Sequence, residues 1–171
     1  MTPSDPDSAP ATIRSLLARK ALADARYRNA LAQVLGVVDS DVLAMLHLAR
    51  EGALTSGQLG ALLRLTSGGT TALVQRLERQ AYVERVAHPH DRRSSLLRLT
   101  ATAEAEVGAV YAPLIADLDA AVAALPAKDR RTVEAFLEHV ALTGERHAEL
   151  LARRADERPG IAGVPMPGLW A

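Results

Sequence analysis

The stretch LTSGQLGALLRLTSGGTTALVQRLERQAYVERVAHPHDRRSSLLRLT, residues 54–100, decides the fold of this 171-residue chain. Thr55 and Gln58 have the spacing of a capping box, in which each side chain bonds the other residue's backbone N–H, and they predict a helix start. Thr66 or Ser67 can cap a second helix a few residues later. Two short β-prone runs follow, on either side of a tip rich in His, Pro, Asp and Arg. The predicted order is helix, turn, helix, β-hairpin.

Both predicted helices carry apolar residues at helical spacing, which gives each helix one face to bury. These residues are Leu59, Leu62 and Leu63 in the first helix and Leu73, Val74 and Leu77 in the second. Two packed helices followed by a hairpin form a winged helix-turn-helix. Its second helix can enter a major groove of DNA, while the hairpin tip, or wing, reaches a neighbouring minor groove or the backbone.

The polar residues of this stretch have the chemistry that DNA contacts need. Short hydroxyl side chains and glycines at a helix N-terminus let its free N–H groups approach phosphates closely. Threonine methyls can touch thymine methyls, and an arginine can reach a guanine or a phosphate. The predicted DNA-binding residues are Thr55, Ser56, Ser67, Gly68, Thr70, Thr71, Gln75 and Arg76 in the helices, and His88, His90, Asp91, Arg92 and Arg93 in the wing.

Positive charge is concentrated in the same stretch, although the whole chain has 20 basic and 20 acidic side chains and no net charge. Residues 64–98 hold seven arginines against three acidic residues, a local charge of +4. All seven cations are arginine, whose planar fork suits phosphates and base edges. A solvated charged face would explain a charge run in general. Here the run coincides with the helix and hairpin signals, which favours DNA binding.

The segments on either side predict a helical dimerisation region, so the expected fold is mainly α with a small β-hairpin wing. Residues 1–11 are rich in Pro, Ser and Asp and are expected to be a flexible arm. Helices are expected at about 12–35 and 101–152 around a winged lobe at about 39–100, with a loose tail at 153–171. Within the long helical pattern, Pro113 is expected to kink a helix, and Pro126 to occupy the first turn of the last one.

The apolar surface of these flanking helices exceeds what a small winged lobe can cover. Pairing with a second copy would bury that surface and would present two recognition helices to a palindromic site. The alternative is that the helices complete a monomeric core, for which 171 residues suffice.

Several classes of function are disfavoured by what the sequence lacks. It has no cysteine, which excludes disulfides and thiolate metal ligands. The five histidines do not have the spacing of a shared ion, and neither a nucleophile elbow nor a phosphate loop is found, so we expect no metal, no cofactor and no enzymatic activity. No apolar run is long enough to span a bilayer and no signal-peptide pattern begins the chain, which predicts a cytoplasmic protein.

The stretch also resembles the DNA-binding lobe of the MarR family of bacterial transcription regulators. The Asp-x-Arg of the wing is the most specific part of the match. The matching segments are Leu54-Thr55, Gln58-Leu59, Leu65-Thr66-Ser67-Gly68, Leu73-Val74, Arg76-Leu77-Glu78, Val83-Glu84-Arg85, the wing run from His88 to Ser94, and Leu99-Thr100. With the flanking helices, the resemblance extends to about residues 12–152.

Two positions depart from the pattern of that family. Ala81 stands before the first wing strand and Ala103 after the last one, where the family usually has glycine. Glycine at such places normally supplies a positive φ. Either these turns take a different path or alanine adopts a strained conformation.

The resemblance implies a homodimeric repressor that binds double-stranded DNA and is released by a small phenolic or drug-like ligand. In this family such ligands often bind where the dimer helices meet the DNA-binding lobe. The candidate ligand-binding residues here are Arg26, Tyr27, Met45, His47 and Tyr111. The alternative for both tyrosines is an ordinary core position with the hydroxyl at the rim. The alternative function is a helical protein–protein adaptor that keeps the winged fold without binding DNA.

Overall fold

The computed structural model describes residues 9–91 and 93–157 as six helices and three short strands. In chain order the elements are α1 (Ala9–Leu35), α2 (Asp39–Glu51), β1 (Leu54–Thr55), α3 (Ser56–Leu63), α4 (Ser67–Arg79), β2 (Val83–Ala87), β3 (Ser95–Leu99), α5 (Ala101–Ala123) and α6 (Ala127–Glu157). The chain divides into two compact units between Ala112 and Pro113. The predicted mainly helical fold with a β-hairpin wing is confirmed.

The helix-turn-helix is built from local signals in the sequence. At the start of α3, the Gln58 backbone N–H donates to Thr55 Oγ1 (3.2 Å) and the Thr55 N–H donates to Gln58 Oε1 (2.8 Å), which confirms the capping box. At the start of α4, Thr66 is the cap: its Oγ1 accepts a hydrogen bond from the Gly69 N–H at 3.2 Å. The reciprocal pair and the single cap fix where the two helices begin.

The three strands form one antiparallel sheet in the order β1-β3-β2. In the β2–β3 hairpin, Val83 pairs with Leu99. The strand β1 pairs Leu54 with Leu97 and was not expected. Two residues are too few to show the alternation by which a strand is recognised in a sequence. The strand joins the start of α3 to the wing, so the helix-turn-helix and the hairpin share one sheet.

One hydrophobic core lies within the first unit and draws on every element from α1 to the first half of α5. The predicted apolar stripe of α4 is confirmed, because all three of its residues are buried. The largest fully buried side chains are Leu31, Val42, Met45, Leu48, Leu59, Leu73, Val74, Leu77, Leu97 and Asp41. The one charged residue in that set, Asp41, is central to the site described below.

The turn between α4 and β2 places an alanine in the left-handed region. Ala81 has φ +58°. The Tyr82 N–H donates to the Leu77 carbonyl (2.9 Å) and the Ala81 N–H donates to the Glu78 carbonyl (3.0 Å), the two bonds of a Schellman motif. The alanine therefore adopts the path that glycine would take. Ala103 has no positive φ and is buried in the first turn of α5, so of these two alanines only Ala81 is strained.

Replacing this alanine should make the protein more stable. Ala81→Gly removes a left-handed conformation that costs a non-glycine residue about 1–2 kcal/mol, while glycine adds entropy to the unfolded chain. We expect a net gain of about 0.5 kcal/mol in the free energy of unfolding, measured by urea denaturation. The control is Ala72→Gly on the exposed side of α4, which should lose about 1 kcal/mol. Destabilisation by both substitutions would contradict the strain at Ala81.

Several predicted boundaries need correction. Residues 9–11, expected in the flexible arm, are helical, and so are residues 153–157, expected in the loose tail. The rest of the arm and tail lies outside the described residues. Pro126 precedes α6 instead of lying in its first turn, and its carbonyl accepts from the N–H groups of Asp129 and Arg130. Helix α5 continues past Pro113. The proline ring removes one backbone N–H donor, and the helix continues on either side of it.

Among residues 9–91 and 93–157, no single helix is long and apolar enough to cross a membrane. Helices α1 and α2 reach the required length and composition only when taken together, across a bend of 97°.

Candidate nucleic-acid interface

Helix α4 exposes a face of small polar residues at its N-terminal end. Ser67, Gly68, Thr71 and Gln75 are all exposed, as predicted for a surface that faces outward. The Thr71 hydroxyl donates to the Ser67 carbonyl at 2.9 Å, which leaves its methyl group available to a base edge. No bulky side chain stands on this part of the helix, so the backbone can come close to a bound molecule.

Thr70 does not belong to that exposed face, which corrects the prediction for its side chain. It is only 4% exposed and its hydroxyl donates to the Thr66 carbonyl at 3.0 Å. A Cβ added to Gly60 of α3 would lie 2.5 Å from Thr70 Oγ1. Thr70 therefore packs into the closest approach of α3 and α4, where only glycine leaves enough room.

Arg76 is also placed differently from the prediction. Its Nε donates to Oδ2 of Asp41 at 2.7 Å and its Nη2 donates to Oδ1 at 2.5 Å, a two-bond fork. The Asp41 carboxylate is 0% exposed, whereas the Arg76 side chain is 35% exposed. The hydrogen bond to Asp41 raises the pKa of the Arg76 guanidinium further above its ordinary value. The expected outward-facing arginine is instead committed to a carboxylate on α2.

The sequence analysis missed Asp41 as a functional candidate. An acid in the first turn of a helix is commonplace, because it stabilises the helix dipole, and Asp39 and Asp41 both occupy that turn. The available signal was the helical spacing, because Asp41 lies four residues before Met45 and therefore on the same face of α2. A buried acid needs a cationic or hydrogen-bonding partner, and here the partner lies 35 residues away.

A cavity of about 300 Å³ opens between α3 and α4. Its walls are mostly small residues of α3 and of the N-terminal half of α4, together with Leu65 of the intervening turn: Ser56, Gly57, Gly60, Ala61, Leu65, Ser67, Thr70 and Thr71. Ser67 and Thr71 are exposed members of the polar face of α4 as well. The cavity and that face therefore form one continuous surface, which includes the predicted residue Ser56. Thr55 lies next to it and its hydroxyl caps α3.

The wing tip is ordered by hydrogen bonds to its backbone. Asp91 Oδ1 accepts from the Arg93 N–H at 2.9 Å, and this bond, followed by one from Ser94, holds the pKa of the Asp91 carboxyl below its usual value. His88 Nδ1 accepts from the His90 N–H at 3.2 Å. Asp91 is one of the predicted DNA-binding residues of the wing. The bond found goes to the backbone of Arg93, and Arg92 lies outside the described residues.

Acidic residues neutralise part of the predicted arginine cluster. Arg85 Nε donates to Glu78 (2.8 Å) and Arg98 Nε donates to Glu84 (2.7 Å). With the fork to Asp41, these ion pairs engage Arg76, Arg85 and Arg98. Among the other arginines of the cluster that the structure describes, Arg64, Arg79 and Arg93 are exposed. Glu78 and Glu84 are already included in the sequence count of +4, so only the fork to Asp41, which lies outside residues 64–98, lowers the charge available to a phosphate further.

The structure brings together only two of the five predicted ligand-binding residues. The rings of Tyr27 and Tyr111 lie edge to face with centroids 5.2 Å apart, and the Tyr27 hydroxyl donates to the Val110 carbonyl at 2.9 Å. Burial raises the pKa of the Tyr111 hydroxyl. Met45 is fully buried in the core, His47 is half-buried and Arg26 is exposed. The expectation that Met45 lines an open pocket is wrong, because Met45 fills the core.

No group of three or more histidine, aspartate or glutamate side chains suited to a metal ion is found in residues 9–91 and 93–157.

These features define a winged helix-turn-helix, and comparisons with known proteins indicate the family that it resembles. A family model described as MarR family matches residues 35–94. The chain is 34% identical over 88 residues to YcgE, an uncharacterized HTH-type transcriptional regulator of Bacillus subtilis (strain 168), a match covering 52% of this chain and 57% of the relative. The chain thus spans little more than half the length of that curated relative. Over residues 35–94, the winged helix-turn-helix of this chain is similar to that of MarR family regulators.

Solved structures agree with this assignment at the level of the fold. A MarR family protein from Bacillus stearothermophilus superposes with a TM-score of 0.63 at 22% identity, over 83% of this chain and 99% of that one. A MepR mutant from S. aureus, bound to an oligodeoxyribonucleotide, superposes with a TM-score of 0.51 at 18% identity, over 75% of this chain and 96% of that one.

Proposed function

We propose that this protein is a sequence-specific DNA-binding transcriptional regulator. The observation that carries the proposal is the exposed polar face on α4, formed by Ser67, Gly68, Thr71 and Gln75. A hairpin wing accompanies it, and strand β1, just before α3, pairs with that hairpin in one sheet. A helix with small polar residues can lie in a major groove while the wing reaches the adjacent backbone. The DNA-bound state of MepR, which shares the fold, supports the same role.

Selection from random double-stranded DNA with the full-length protein tests this proposal. We expect one enriched sequence, whose affinity falls as salt rises because phosphate contacts release counterions. Ser67→Glu should abolish the preference by placing a carboxylate on the polar face. Arg131→Glu, at an exposed position on the side of α6 away from Val133 and Phe136, is the control and should retain it. Failure to enrich any sequence would favour the adaptor function instead.

The wing should contribute through Arg93. Its side chain is exposed at the hairpin tip while its backbone N–H is held by Asp91, so the turn is ordered and the guanidinium is presented to solvent. Arg93→Ala should weaken binding to the selected DNA by about 1–2 kcal/mol, measured by fluorescence anisotropy at moderate salt. Arg131→Ala, an exposed arginine on α6, should change the affinity little. Equal affinities for the two variants would remove Arg93 from the interface.

We further propose that the active species is a two-fold homodimer acting as a repressor at a palindromic operator. Support comes from helix α6, which exposes Val133, Phe136, Leu137, Leu142, Leu150 and Leu151. Apolar area of this kind in a soluble chain marks an interaction surface. A second copy fits this role because a two-fold pair also presents two α4 helices to one face of the duplex.

Leu137→Glu should shift the protein towards monomers, because the side chain is 52% exposed and a charge there would be desolvated at an interface. Sedimentation equilibrium measures the change. Arg131→Glu, at an exposed position of the same helix with none of these apolar residues one turn away, is the control and should leave the assembly intact. A wild-type protein that sediments as a monomer at micromolar concentration would contradict the dimer.

Release by a small aromatic ligand is the last part of the proposal and rests on the Tyr27–Tyr111 pair. A ligand that inserts beside these rings would displace the Tyr27–Val110 hydrogen bond. Compounds can be screened by thermal shift, since a ligand of the native state raises stability. By linkage, a coupled ligand and the operator must weaken each other's binding by the same factor. A tight ligand that leaves DNA affinity unchanged would rule out coupling for that compound.

A further inference from the structure

The Asp41–Arg76 fork joins two helices at a point where one partner cannot reach DNA. Asp41 is 0% exposed, so no nucleic acid can contact its carboxylate in this structure. Arg76 lies in the second half of α4, nine residues after the exposed Ser67. The two parallel N–H···O bonds fix the plane of the guanidinium relative to α2 as well as its distance.

Two further hydrogen bonds hold the same end of α4. The Tyr82 hydroxyl donates to the Leu35 carbonyl at 2.9 Å, and Gln80 Nε2 donates to the Gly36 carbonyl at 3.4 Å. Both acceptors lie where α1 ends, just before α2. The C-terminal end of α4 is thus anchored by side chains to α2 and to the end of α1. Its N-terminal end carries the polar face proposed to meet the bases.

Anchoring one end of a helix controls where the other end lies. At about 1.5 Å per residue, Ser67 is roughly 13 Å along the axis from Arg76, so a tilt of about 5° there moves Ser67 by about 1 Å. Base-edge hydrogen bonds span only about 2.7–3.2 Å, so such a shift is enough to break them. Contacts to phosphates by long, flexible cations tolerate the same displacement.

We propose that Asp41 and Arg76 are positioning residues that set the register of α4 in the major groove, and that Arg76 acts through Asp41 instead of reading a base. The inference rests on the proposed function and deepens it. It predicts that the pair controls discrimination between sequences more than general affinity for DNA. It also predicts that the buried acid, which touches no DNA, is as important for discrimination as the arginine.

The test compares Asp41→Asn and Arg76→Lys with the wild type. Both substitutions preserve size and polarity, but the first removes the buried charge and the second removes the fork. The measured quantity is the ratio of affinity for the DNA sequence selected with the wild type to affinity for scrambled DNA. It is measured over a range of salt, at a temperature where circular dichroism shows every variant folded. Each variant should lose about tenfold in this ratio, equivalent to about 1.4 kcal/mol, with the salt slope unchanged.

The double variant Asp41→Asn with Arg76→Lys should lose no more than either single variant, because both changes break one interaction. Glu78→Gln is the matched control: the same change in the exposed Glu78–Arg85 pair should leave the ratio unaltered. If Asp41→Asn does not fold, Arg76→Lys still decides, because a direct phosphate contact would keep most of the ratio.

An unchanged or higher ratio in Asp41→Asn would overturn the proposal, and so would additive losses in the double variant. Arg76→Gln removes the charge that lysine keeps, and a lower salt slope in that variant would likewise show that Arg76 touches the DNA directly. If the wild type selects no sequence at all, the proposed function fails first and the positioning role fails with it. If the wild type selects a sequence and the variants discriminate equally well, the positioning role fails alone and the proposed function stands.

Discussion

Arg76→Met is expected to lower the free energy of unfolding by about 3–5 kcal/mol, the usual cost of stranding one member of a buried ion pair. Methionine retains much of the aliphatic stem of Arg76, so little packing is lost. The penalty arises because the fully buried Asp41 carboxylate would lose both of its hydrogen-bond donors. Urea denaturation followed by circular dichroism at neutral pH measures the effect.

The reciprocal substitution should cost much less, although it breaks the same pair. Asp41→Asn leaves a guanidinium that is 35% exposed, so water can solvate the charge that has lost its partner. We expect a loss of about 1–2 kcal/mol, typical of a hydrogen bond to a charged group. Replacing both residues by apolar ones, as in Asp41→Leu with Arg76→Met, should restore most of the stability. Equal costs for the two single variants would contradict the asymmetric burial of the pair.

Gly60→Ala should destabilise the protein by about 2–3 kcal/mol, in the upper part of the range for overpacked sites. The new Cβ would lie 2.5 Å from Thr70 Oγ1 and 3.3 Å from Thr70 Cγ2, so α3 and α4 must move apart. The Thr70 side chain cannot give way easily, because it is buried and its hydroxyl is bonded to Thr66. Thermal and urea unfolding of the variant measure the loss.

The crossing of α3 and α4 at Gly60 and Thr70 offers both a rescue and a control for this prediction. Thr70→Ala removes the two atoms that clash most closely, so the double variant Gly60→Ala with Thr70→Ala should be more stable than Gly60→Ala alone. At Gly57, on the same helix, a new Cβ would meet only Thr55 Oγ1 at 4.0 Å. Gly57→Ala should therefore gain up to about 1 kcal/mol from helix propensity. A loss of stability at Gly57 equal to that at Gly60 would show that the crossing is not the cause.

The features that the sequence predicted well are those with local causes. The Thr55–Gln58 capping box and the Thr66 cap depend on residues three positions apart. The first was predicted directly, and Thr66 was one of two candidates for the second, with Ser67. The α4 stripe at 73, 74 and 77 depends only on the helical period. Thr70 lies one helical turn before that stripe and on the same face. Its burial could therefore have been predicted from the spacing, if a polar residue on an apolar face had been considered.

The features that the sequence could not predict depend on contacts between distant residues. Arg76 has the chemistry of a DNA-binding side chain, and only the fold shows that a buried acid 35 residues earlier engages it. The same holds for Tyr27, whose hydroxyl bonds a carbonyl 83 residues away, and for Met45, which the packing of α2 places in the core. Residue type suggests a role, but the nearest neighbours in space decide it.

The pairing of the wing arginines with acids also has a kinetic consequence. Proteins with strongly basic surfaces are drawn to DNA from a distance and associate at rates that fall steeply with ionic strength. In this chain Arg85 and Arg98 face Glu78 and Glu84, and the net charge of the whole sequence is zero. If the protein binds DNA as proposed, it should therefore associate by diffusion without long-range electrostatic attraction, and its non-specific complexes should be short-lived. The association rate would then depend only weakly on ionic strength, while the affinity would still fall with salt through the phosphate contacts.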